Sequence, residues 1–329
     1  MPLPFPACTV ARKYLFGPVP SRRLGRSLGI DLVPFKTCTL NCVYCECGST
    51  SALTSVRAEY VPTAEVLREL GEYLSTAPRL DHVTFSGSGE PTLHSGIGTV
   101  LSFIKTEFPR YRTALLTNGT LFTDPRVRGE VLSCDVVVPS LDAVSQEVFA
   151  RINRPATGLR SADIVEGLLA FSREYRGTLL LELFIVPEIN DDSAELDKLK
   201  QVIGRLHPDE VQLNTLDRPG AEGWVKPATA KRLGEIAGFL APLPVRIIAR
   251  TPTSTTGTSS EAAQLPIIEE TIRRRPCTLN DIASVCGISA DRAGILVKDL
   301  LRRRRIRADM LEGEEFYRVR QPEGRAPSR

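Results

Sequence analysis

Short apolar runs and amphipathic stretches alternate along residues 27–249 of the chain. The apolar runs end in small or polar residues, as in HVTFSGSGEP at 82–91 and TALLTNGT at 113–120. The stretches between them, such as TAEVLRELGEYL at 63–74, carry apolar residues at helical spacing, and several open with a Ser or Thr of the kind that caps a helix. Strand and helix therefore alternate, and this order predicts an α/β fold with a parallel sheet and right-handed helical crossovers.

The same pattern predicts about seven strands and about five long helices. The strands are predicted at 27–34, 82–91, 113–120, 135–143, 178–191, 210–217 and 245–249, and the helices at 63–74, 97–108, 161–175, 193–206 and 229–240. Such a sheet is either open or closed into a partial barrel, and in both forms the site lies at the carboxyl ends of the strands. We therefore expect one functional rim, formed by the loop after the first strand, 86–91, Asn118, 140–142 and Asn190.

The composition and the periodicity of the sequence change near residue 250. A Thr- and Ser-rich stretch at 251–264 has no periodic apolar pattern, which is typical of a linker. This divides the chain into a core domain at 1–250 and a smaller domain at 265–320, and it leaves a flexible tail at 321–329.

The smaller domain carries the signals of three helices and a hairpin. A first helix is followed by a short helix ending near Gly287, a Ser-capped helix from about 289 to 304, and two short strands around EGEE. That order predicts a C-terminal winged helix-turn-helix domain.

The composition is that of a globular protein with a sizeable core. The chain has 329 residues, of which 42% are hydrophobic, and this length suits one large domain and one smaller domain. The net charge of +3 is too small to indicate a partner by itself. The excess of basic residues lies toward the C-terminus, where 265–320 holds 12 Lys plus Arg against 9 Asp plus Glu.

Neither a membrane segment nor a secretion signal is expected. No apolar run approaches the roughly 18 residues that a membrane helix needs. The start, MPLPFPACTVARKYLFG, lacks a basic segment followed by an apolar stretch and a small-residue cleavage site. We therefore expect a cytoplasmic protein, whose clustered thiols stay reduced and serve metal or redox chemistry.

Four of the eight cysteines stand together in KTCTLNCVYCEC at 36–47. Cys38, Cys42 and Cys45 are spaced Cys-x3-Cys-x2-Cys, which is tight enough to hold three corners of one iron–sulfur cube. Zinc sites usually pair two Cys-x2-Cys knuckles that are well separated in the chain. The spacing therefore favours an iron–sulfur cluster over a structural zinc site, in which Cys47 would be the fourth ligand.

The stretch CTLNCVYC resembles the cysteine signature of radical S-adenosylmethionine (radical SAM) enzymes. The resemblance implies a partial (β/α)6-type barrel and a [4Fe-4S] cluster held by Cys38, Cys42 and Cys45, with one iron open to the amino and carboxylate groups of S-adenosylmethionine. It further implies that an electron from a flavodoxin- or ferredoxin-type donor yields a 5'-deoxyadenosyl radical, which takes a hydrogen atom from the substrate.

The same resemblance indicates residues that contact S-adenosylmethionine. SGSGEPTL at 86–93 is similar to the glycine-rich strand end that receives the ammonium group of the cofactor. An aromatic near the adenine and polar contacts to the ribose and carboxylate are also implied. The residues carried over on these grounds are Tyr44, Gly87, Ser88, Gly89, Glu90, Asn118, Ser140 and Asp142. Taken alone, these segments also read as plain turns or helix caps.

Two further segments resemble the branch of the superfamily that groups with wyosine synthases, which build a tricyclic base on transfer RNA. These are FGPVPSRRLGRSLGIDL at 16–32 and FARINRPA at 149–156. Those synthases hold a second cluster with three more cysteines before the motif, and this sequence has only Cys8 there. In the basic part of the first segment, Arg22, Arg23 and Arg26 are candidates for binding a substrate phosphate or carboxylate, or else form a solvated loop.

Three hypotheses about function differ in what the C-terminal domain binds. If its basic helix end at 302–305 contacts phosphates, the enzyme modifies RNA, as in transfer RNA modification. If the domain instead binds a peptide, the radical chemistry acts on a peptide or protein. A DNA-binding regulator that senses redox state through its cluster is the third hypothesis, and the glycine-rich strand end counts against it because a regulator needs no cofactor pocket.

Overall fold

The structure is a computed structural model and describes residues 12–21, 23–248 and 261–320. These residues fall into two compact units, one containing 12–248 and the other containing 261–320.

The N-terminal unit is built on a mostly parallel sheet. Its strands are β1 Leu15–Ser21, β2 Gly25–Ile30, β3 Thr37–Cys38, β4 Ala52–Leu53, β5 His82–Phe85, β6 Arg112–Thr117, β7 Val136–Pro139, β8 Thr178–Ile185, β9 Glu210–Thr215 and β10 Val245–Ile247. Within the described residues, eight of them form one sheet in the order β1-β2-β5-β6-β7-β8-β9-β10. The strands from β2 to β10 pair in parallel, as the alternating pattern predicts, and β1 is an antiparallel edge strand that the pattern did not reveal.

Helices connect the parallel strands. They are α1 Thr63–Ser75, α2 Ile97–Glu107, α3 Pro125–Val131, α4 Gln146–Ile152, α5 Ser161–Glu174, α6 Ser193–Leu206 and α7 Ala230–Leu240, with short 3-10 helices at Pro91–Leu93 and Thr120–Thr123. The side chain of Asp192 caps α6 and that of Thr229 caps α7, because each accepts a hydrogen bond from a backbone N–H of the first turn. The five long helices were predicted, whereas the seven-residue helices α3 and α4 are too short to show a clear apolar period.

The turn between β1 and β2 shows that the sheet curves into a partial barrel. Leu24 in this turn packs in one buried cluster with Ala114, Val136 and Val138 on β6 and β7. Arg23 reaches further, and its Nη1 donates to Glu182 Oε1 on β8 at 2.7 Å. In a flat sheet β8 would lie about 19 Å from β2, at ~4.8 Å per strand, which is more than a side chain spans. The sheet therefore bends around the turn, which fills the amino end of the barrel.

This arrangement corrects the hypothesis that Arg23 binds a substrate oxyanion. The Arg23 guanidinium is engaged inside the barrel, where it contacts Glu182 and also Gln212 Oε1 at 3.3 Å. Arg26 is exposed at the start of β2, the end of the strand opposite the functional rim. Arg22 lies outside the described residues.

The C-terminal unit contains three helices followed by a hairpin. The helices are α8 Glu261–Arg274, α9 Leu279–Cys286 and α10 Ala290–Arg302, and strands β11 Ile306–Leu311 and β12 Glu314–Val319 pair antiparallel. A capping box of Thr278 and Asp281 opens α9, and Gly287 ends it with a left-handed φ of 62°. Ser289 caps α10, as its position in the sequence predicts.

The unit has its own apolar core. Ile268 and Ile272 of α8, Ile282 of α9, and Val297 and Leu300 of α10 are buried in one cluster. The first helix begins at Glu261, inside the stretch that was predicted as a linker at 251–264. The remainder of that linker and the predicted tail at 321–329 lie outside the described residues. Among the helices of the described ranges, none has the length and apolarity to cross a membrane.

Candidate functional site

The cysteine loop leaves the carboxyl end of β2 and is held at both ends. Its start and finish form the parallel pair β3 and β4, in which Cys38 stands opposite Leu53. In the middle, Val43 N donates to Ile152 O at 2.9 Å, and Glu222 N donates to Val43 O at 3.0 Å. Backbone contacts therefore fix the loop to the end of α4 and to the segment after β9.

Each sulfur atom of the three predicted ligands accepts a hydrogen bond from a side-chain nitrogen. The pairs are Asn118 Nδ2 to Cys38 Sγ at 3.5 Å, Asn153 Nδ2 to Cys42 Sγ at 3.3 Å, and Lys36 Nζ to Cys45 Sγ at 3.0 Å. Such donors favour the thiolate over the thiol, and in a cluster they tune its reduction potential. Each predicted ligand sulfur therefore has one side-chain nitrogen donor, two of them from residues outside the loop.

Among the three predicted ligands, Cys45 is the one whose pKa is lowered. A hydrogen bond with Cys47 and the charge of Lys36 hold the pKa of Cys45 well below its usual range. The same hydrogen bond, together with burial, raises the pKa of Cys47 well above its usual range. Burial works against the Lys36 ammonium, but the negative charge of Cys45 raises the pKa of that lysine. Lys36 Nζ, at 3.0 Å from Cys45 Sγ, and the Cys47 side chain therefore both favour the thiolate form of Cys45.

The other two predicted ligands lie in an environment that disfavours bare thiolates. Burial raises the pKa of Cys38 to about 12, and the nearby Glu90 carboxylate adds to the effect. Burial also raises the pKa of Cys42. Positive charge on bound iron would offset this cost, since metal coordination deprotonates a thiol. The three cysteine sulfurs fit a [4Fe-4S] cluster in which each thiolate would bind one iron and the fourth iron would be left open. Within the described ranges, no three His, Cys, Asp or Glu side chains are grouped to hold a single metal ion.

The glycine-rich turn after β5 packs against the start of the cysteine loop. Gly87 has a φ of +136°, and a Cβ there would lie 1.7 Å from Asp31 Oδ1. A Cβ on Gly89 would lie 2.0 Å from the carbonyl oxygen of Thr37. The buried Ser88 accepts a backbone hydrogen bond from Lys36 N at 3.0 Å. Small residues are therefore required here for close approach to the cysteine loop.

Glu90 is buried and accepts four hydrogen bonds from the protein. Thr92 N, Thr92 Oγ1 and Thr117 Oγ1 donate to its Oε1, and Asn118 N donates to its Oε2 at 2.8 Å. Burial raises the pKa of Glu90, although these hydrogen bonds oppose the shift. The carboxylate thus links the end of β5 to the end of β6.

Asn118 is committed to the cysteine loop. Besides Cys38, its amide nitrogen donates to Thr39 Oγ1 at 2.8 Å, and its amide oxygen accepts from Thr120 N at 3.1 Å. The nitrogen end of the amide therefore contacts the cysteine loop, and the oxygen end fixes the amide to the 3-10 helix at Thr120–Thr123.

Tyr44 and Asp142 meet in a buried cluster beside Cys42. The Tyr44 hydroxyl donates to Asp142 Oδ2 at 2.5 Å, and the Tyr44 ring stacks on Phe184 with 3.8 Å between centroids. Asn153 Nδ2 donates to the same carboxylate oxygen at 2.8 Å and so links Asp142 to Cys42. Burial raises the pKa of Asp142 to about 6. The cluster joins the cysteine loop, β7, α4 and β8 by side-chain contacts.

Ser140 points to the barrel interior. Its Oγ donates to Glu182 Oε2 at 3.3 Å, and Asn214 Nδ2 donates to Glu182 Oε1 at 3.1 Å. Burial acts against the Glu182 carboxylate, but the charge of Arg23 keeps the pKa of Glu182 below its usual value. A polar network therefore connects Ser140 to the turn that fills the amino end of the barrel.

The structure brings four of the predicted residues around a common small cleft of about 20 Å³, and the other predicted residues do not line it. The predicted residues that line the cleft are Tyr44, Asn118, Ser140 and Asp142. Gly87 to Glu90 are not among its lining residues and lie against the start of the cysteine loop instead. Sequence reasoning missed Lys36, Asn153, Glu182 and Phe184.

A signal was available for two of the missed residues. Asn153 stands in the FARINRPA segment, which was noted for its resemblance to other proteins without a role for the asparagine. Lys36 stands two residues before the first cysteine of the motif. Glu182 and Phe184 lie in an otherwise apolar strand, where no local pattern distinguishes a packing residue from a site residue.

Residues 32–199 match the sequence profile of the Radical SAM superfamily. The chain belongs to this superfamily. It is therefore an enzyme of a family that uses a [4Fe-4S] cluster and S-adenosylmethionine, which confirms these two cofactors as sequence expectations.

Two relatives extend this assignment. A protein of Synechocystis described as UPF0026 is 38% identical over 207 residues, which cover 62% of this chain and 76% of that protein. The chain therefore also belongs with the UPF0026 proteins. A protein of Brachyspira hyodysenteriae described as GTPase Obg is 33% identical over 311 residues, which cover 93% of this chain and 45% of that protein. The chain spans less than half the length of this last relative.

Among solved structures, the chain is similar to a radical SAM methyltransferase from Sphaerobacter thermophilus. The TM-score is 0.51 at 16% identity, and the match covers 67% of this chain and 66% of the methyltransferase. At this identity the likeness concerns the fold alone, and it agrees with the α/β architecture of the N-terminal unit.

Proposed function

We propose that Cys38, Cys42 and Cys45 hold the cluster and that this chain uses it for radical chemistry on RNA. The observation that carries the first part is the set of three sulfur atoms, each with its own nitrogen donor, on one fixed loop. When bound, the cluster would supply the electron for reductive cleavage of S-adenosylmethionine into methionine and a 5'-deoxyadenosyl radical, the species that would abstract hydrogen from the substrate. A flavodoxin- or ferredoxin-type protein is the proposed electron donor.

Around the cluster, the chain's own side chains are proposed to hold S-adenosylmethionine. Tyr44, Asn118, Ser140 and Asp142 line the cleft beside the loop and are fixed by hydrogen bonds before any ligand arrives. Glu90 is proposed to receive the cofactor ammonium through Oε2, which accepts one hydrogen bond from the described residues whereas Oε1 accepts three. A buried carboxylate is suited to this role because an unpaired ammonium is costly to bury.

Gly87, Ser88 and Gly89 serve the same site indirectly in this proposal. They let the strand end approach the start of the cysteine loop, where Glu90 N donates to Thr37 O at 3.1 Å. Their backbone would therefore position both Glu90 and the first ligand, Cys38.

Cys47 is proposed to be a hydrogen-bond donor and not a ligand. Its raised pKa and its hydrogen bond with Cys45 describe a thiol that supports a neighbouring thiolate. This supports the three-cysteine cluster over the four-cysteine zinc site.

An RNA substrate is proposed on two grounds. The segments at 16–32 and 149–156 resemble the wyosine synthase branch, and the second of them supplies Asn153 to the site. The order of three helices and a hairpin in the C-terminal unit supports the proposed winged helix-turn-helix, in which the third helix and the hairpin would contact nucleic acid. Cys8 stands alone before the motif, so the proposal includes no second cluster.

A peptide or protein substrate is the second candidate, and the surface of the C-terminal unit favours it. Ile295 on α10 and Met310 on β11 are 57% and 64% exposed, and exposed apolar side chains of this size can contact a peptide. Arg302 and Arg303 pair with Asp299 and so present less net charge to a phosphate backbone. A redox-sensing DNA-binding regulator remains the third candidate.

The radical chemistry is tested by anaerobic reconstitution with iron and sulfide, reduction with dithionite, and addition of S-adenosylmethionine. We expect 5'-deoxyadenosine, detected by mass spectrometry, from the wild-type protein and none from Cys42→Ala. A wild-type protein that holds its cluster but makes no 5'-deoxyadenosine would support the regulator.

The substrate class is tested separately by gel shift. We expect bulk transfer RNA to bind the reconstituted protein at low salt, with binding that weakens as salt rises because phosphate contacts release counterions. Duplex DNA serves as the parallel probe. Absence of any shift at low salt would remove the nucleic-acid substrate and favour the peptide.

A further inference from the structure

A second cleft opens on the same rim as the cysteine loop. It has a volume of about 530 Å³ and is lined by residues from the end of α4, the loop after β8 and the loop after β9: Ala150, Arg151, Arg154, Val186, Pro187, Glu188, Ile189, Trp224 and Lys226. Two of these segments also hold the cysteine loop, since Val43 N donates to Ile152 O and Glu222 N donates to Val43 O. The cleft is therefore adjacent to the proposed site of radical formation.

One wall of the cleft presents an aromatic ring. Trp224 is 51% exposed, although its neighbour Val225 is 3% exposed and anchors the segment. Val186 and Ile189 on the opposite segment are buried and provide an apolar base. An exposed indole in a concave site is suited to stacking a planar group, because the ring face gives affinity without requiring one particular sequence.

The cleft also carries positive charge that the protein does not neutralise. Arg151 and Lys226 are exposed, and in the described part of the chain neither has an ion-pair partner. Arg154 is paired with Glu222, and Glu188 is the one acidic residue among those that line the cleft. After the paired arginine is set aside, two cations face one carboxylate, and an anionic ligand is favoured.

We propose that this cleft binds one nucleotide of an RNA substrate, with the base stacked on Trp224 and a phosphate held by Arg151 and Lys226. A nucleotide combines a planar ring with an anion, which are the two features that the walls of the cleft complement. The proposal rests on the RNA substrate proposed above for the radical chemistry. Binding in the cleft is nevertheless a property of this chain that can be measured without any reaction.

The sequence provides a built-in probe, because Trp224 is its single tryptophan. The reconstituted protein is titrated with 5'-phosphorylated triadenylate at low salt, with S-adenosylmethionine present so that its own site is filled. We expect a saturable change of tryptophan fluorescence. Adenosine is expected to bind more weakly than the trinucleotide, and inorganic phosphate is expected to leave the fluorescence unchanged.

Charge is tested by the double variant Arg151→Gln/Lys226→Gln. Its affinity for triadenylate is expected to fall about tenfold or more, and the dependence on salt is expected to become shallower by roughly 0.7 units of log–log slope, because one phosphate is no longer neutralised. The matched control is Arg205→Gln/Lys231→Gln, which removes an exposed arginine and an exposed lysine from α6 and α7. The control should bind as the wild type does.

Stacking is tested by Trp224→Ala, followed by calorimetry because this variant has no tryptophan signal. We expect a loss of affinity of roughly tenfold, which is the range for one stacked base. Circular dichroism of each variant checks that the fold is kept. Absence of binding by the wild type, equal binding by the double variant and its control, or binding of an aromatic acidic peptide in place of triadenylate would each overturn the proposal. None of these results depends on 5'-deoxyadenosine, so failure here is distinct from failure of the radical chemistry.

Discussion

The cysteine loop and the arginine run at 302–305 are both dense clusters of one residue type, yet the structure uses them differently. In the loop, every predicted ligand sulfur keeps a separate nitrogen donor and none is joined to another cysteine in a disulfide. In the run, Arg302 and Arg303 pair with Asp299, and Arg305 pairs with Glu269. The sulfur atoms of the loop remain available to bind iron, whereas three of the four arginines in the run form ion pairs with carboxylates of the same unit.

The difference shows what a local sequence pattern can and cannot establish. Spacing decides whether three sulfur atoms can meet one cluster, because the loop is short and its geometry is local. The charge that a basic run presents to a partner depends on carboxylates elsewhere in the chain, such as Glu269, which is more than thirty residues away from Arg305. Counting charges along the run therefore overestimates its capacity to bind phosphate.

The largest expected effect separates the ligands from the remaining cysteines. Cys38→Ala, Cys42→Ala and Cys45→Ala should each abolish the brown chromophore, because each removes the thiolate of one iron. Cys47→Ala should retain most of it.

Cys286→Ala, in the C-terminal unit, is the matched control and should retain all of the chromophore. Iron and sulfide analysis of the reconstituted proteins gives the measurement. Equal loss in Cys47→Ala would restore the four-cysteine site.

A smaller but still large effect is expected for Glu90→Ala. The change leaves buried donors on Thr92, Thr117 and Asn118 without their acceptor, which costs on the order of 3 kcal/mol in the free energy of unfolding. The cluster should still form, and S-adenosylmethionine binding should weaken by about 1–3 kcal/mol.

Denaturant unfolding and equilibrium dialysis measure the two effects. Glu72→Ala, at a 64% exposed site on α1, is the control and should change neither quantity measurably. Unchanged cofactor affinity in Glu90→Ala would restrict the residue to a structural role.

Lys36→Met should change the cluster without removing it. The variant loses a positive charge and a hydrogen bond at Cys45 Sγ, and both losses stabilise the oxidised form of the cluster. The midpoint potential should therefore become more negative, as measured by potentiometric titration followed by electron paramagnetic resonance.

Lys36→Arg keeps the charge and should recover part of the shift. Lys200→Met removes a half-buried lysine from α6, outside the cysteine loop, and should leave the potential unchanged. A potential that is the same in Lys36→Met and in the wild type would show that the lysine does not act on the cluster.

The smallest effect is expected in the arginine run. If the C-terminal unit binds RNA, replacing Arg302 to Arg305 by Gln should flatten the salt dependence by only about one unit of log–log slope, since Arg304 alone has no acidic partner among the described residues. A gel-shift titration of bulk transfer RNA at several salt concentrations measures this. A change of about three units or more would mean that RNA displaces the carboxylates, and the run would then be a phosphate site after all.

The sequence was sufficient for the parallel core because its signals are periodic and local. The strands from 82–91 to 245–249 and the five long helices were predicted close to their observed positions. Strand β1 was not predicted, because its sequence LFGPVPS contains two prolines and a glycine that read as a turn. The curvature of the sheet was left open, and it depends on long-range contacts such as that of Arg23 with Glu182.

The residues of the candidate site that belong to one local motif could be predicted from the sequence. The contacts between residues that are distant in the chain could not. Tyr44 and Asp142 were both expected near the cofactor, but their direct hydrogen bond joins residues 98 positions apart in the chain. Asn153 and Phe184 complete that cluster from two further elements. Their roles follow from the carboxyl ends of parallel strands meeting at one rim, which no local pattern records.

One measurement tests the three-cysteine site most directly: electron paramagnetic resonance of the reduced, reconstituted protein before and after S-adenosylmethionine is added. Three protein thiolates leave one iron for the cofactor, so the signal should change on addition in the wild type and in Cys47→Ala, and it should change less at the same concentration in Glu90→Ala. A signal that S-adenosylmethionine leaves unchanged in the wild type would mean that no iron is open to the cofactor, and the proposed radical chemistry at Cys38, Cys42 and Cys45 would be wrong.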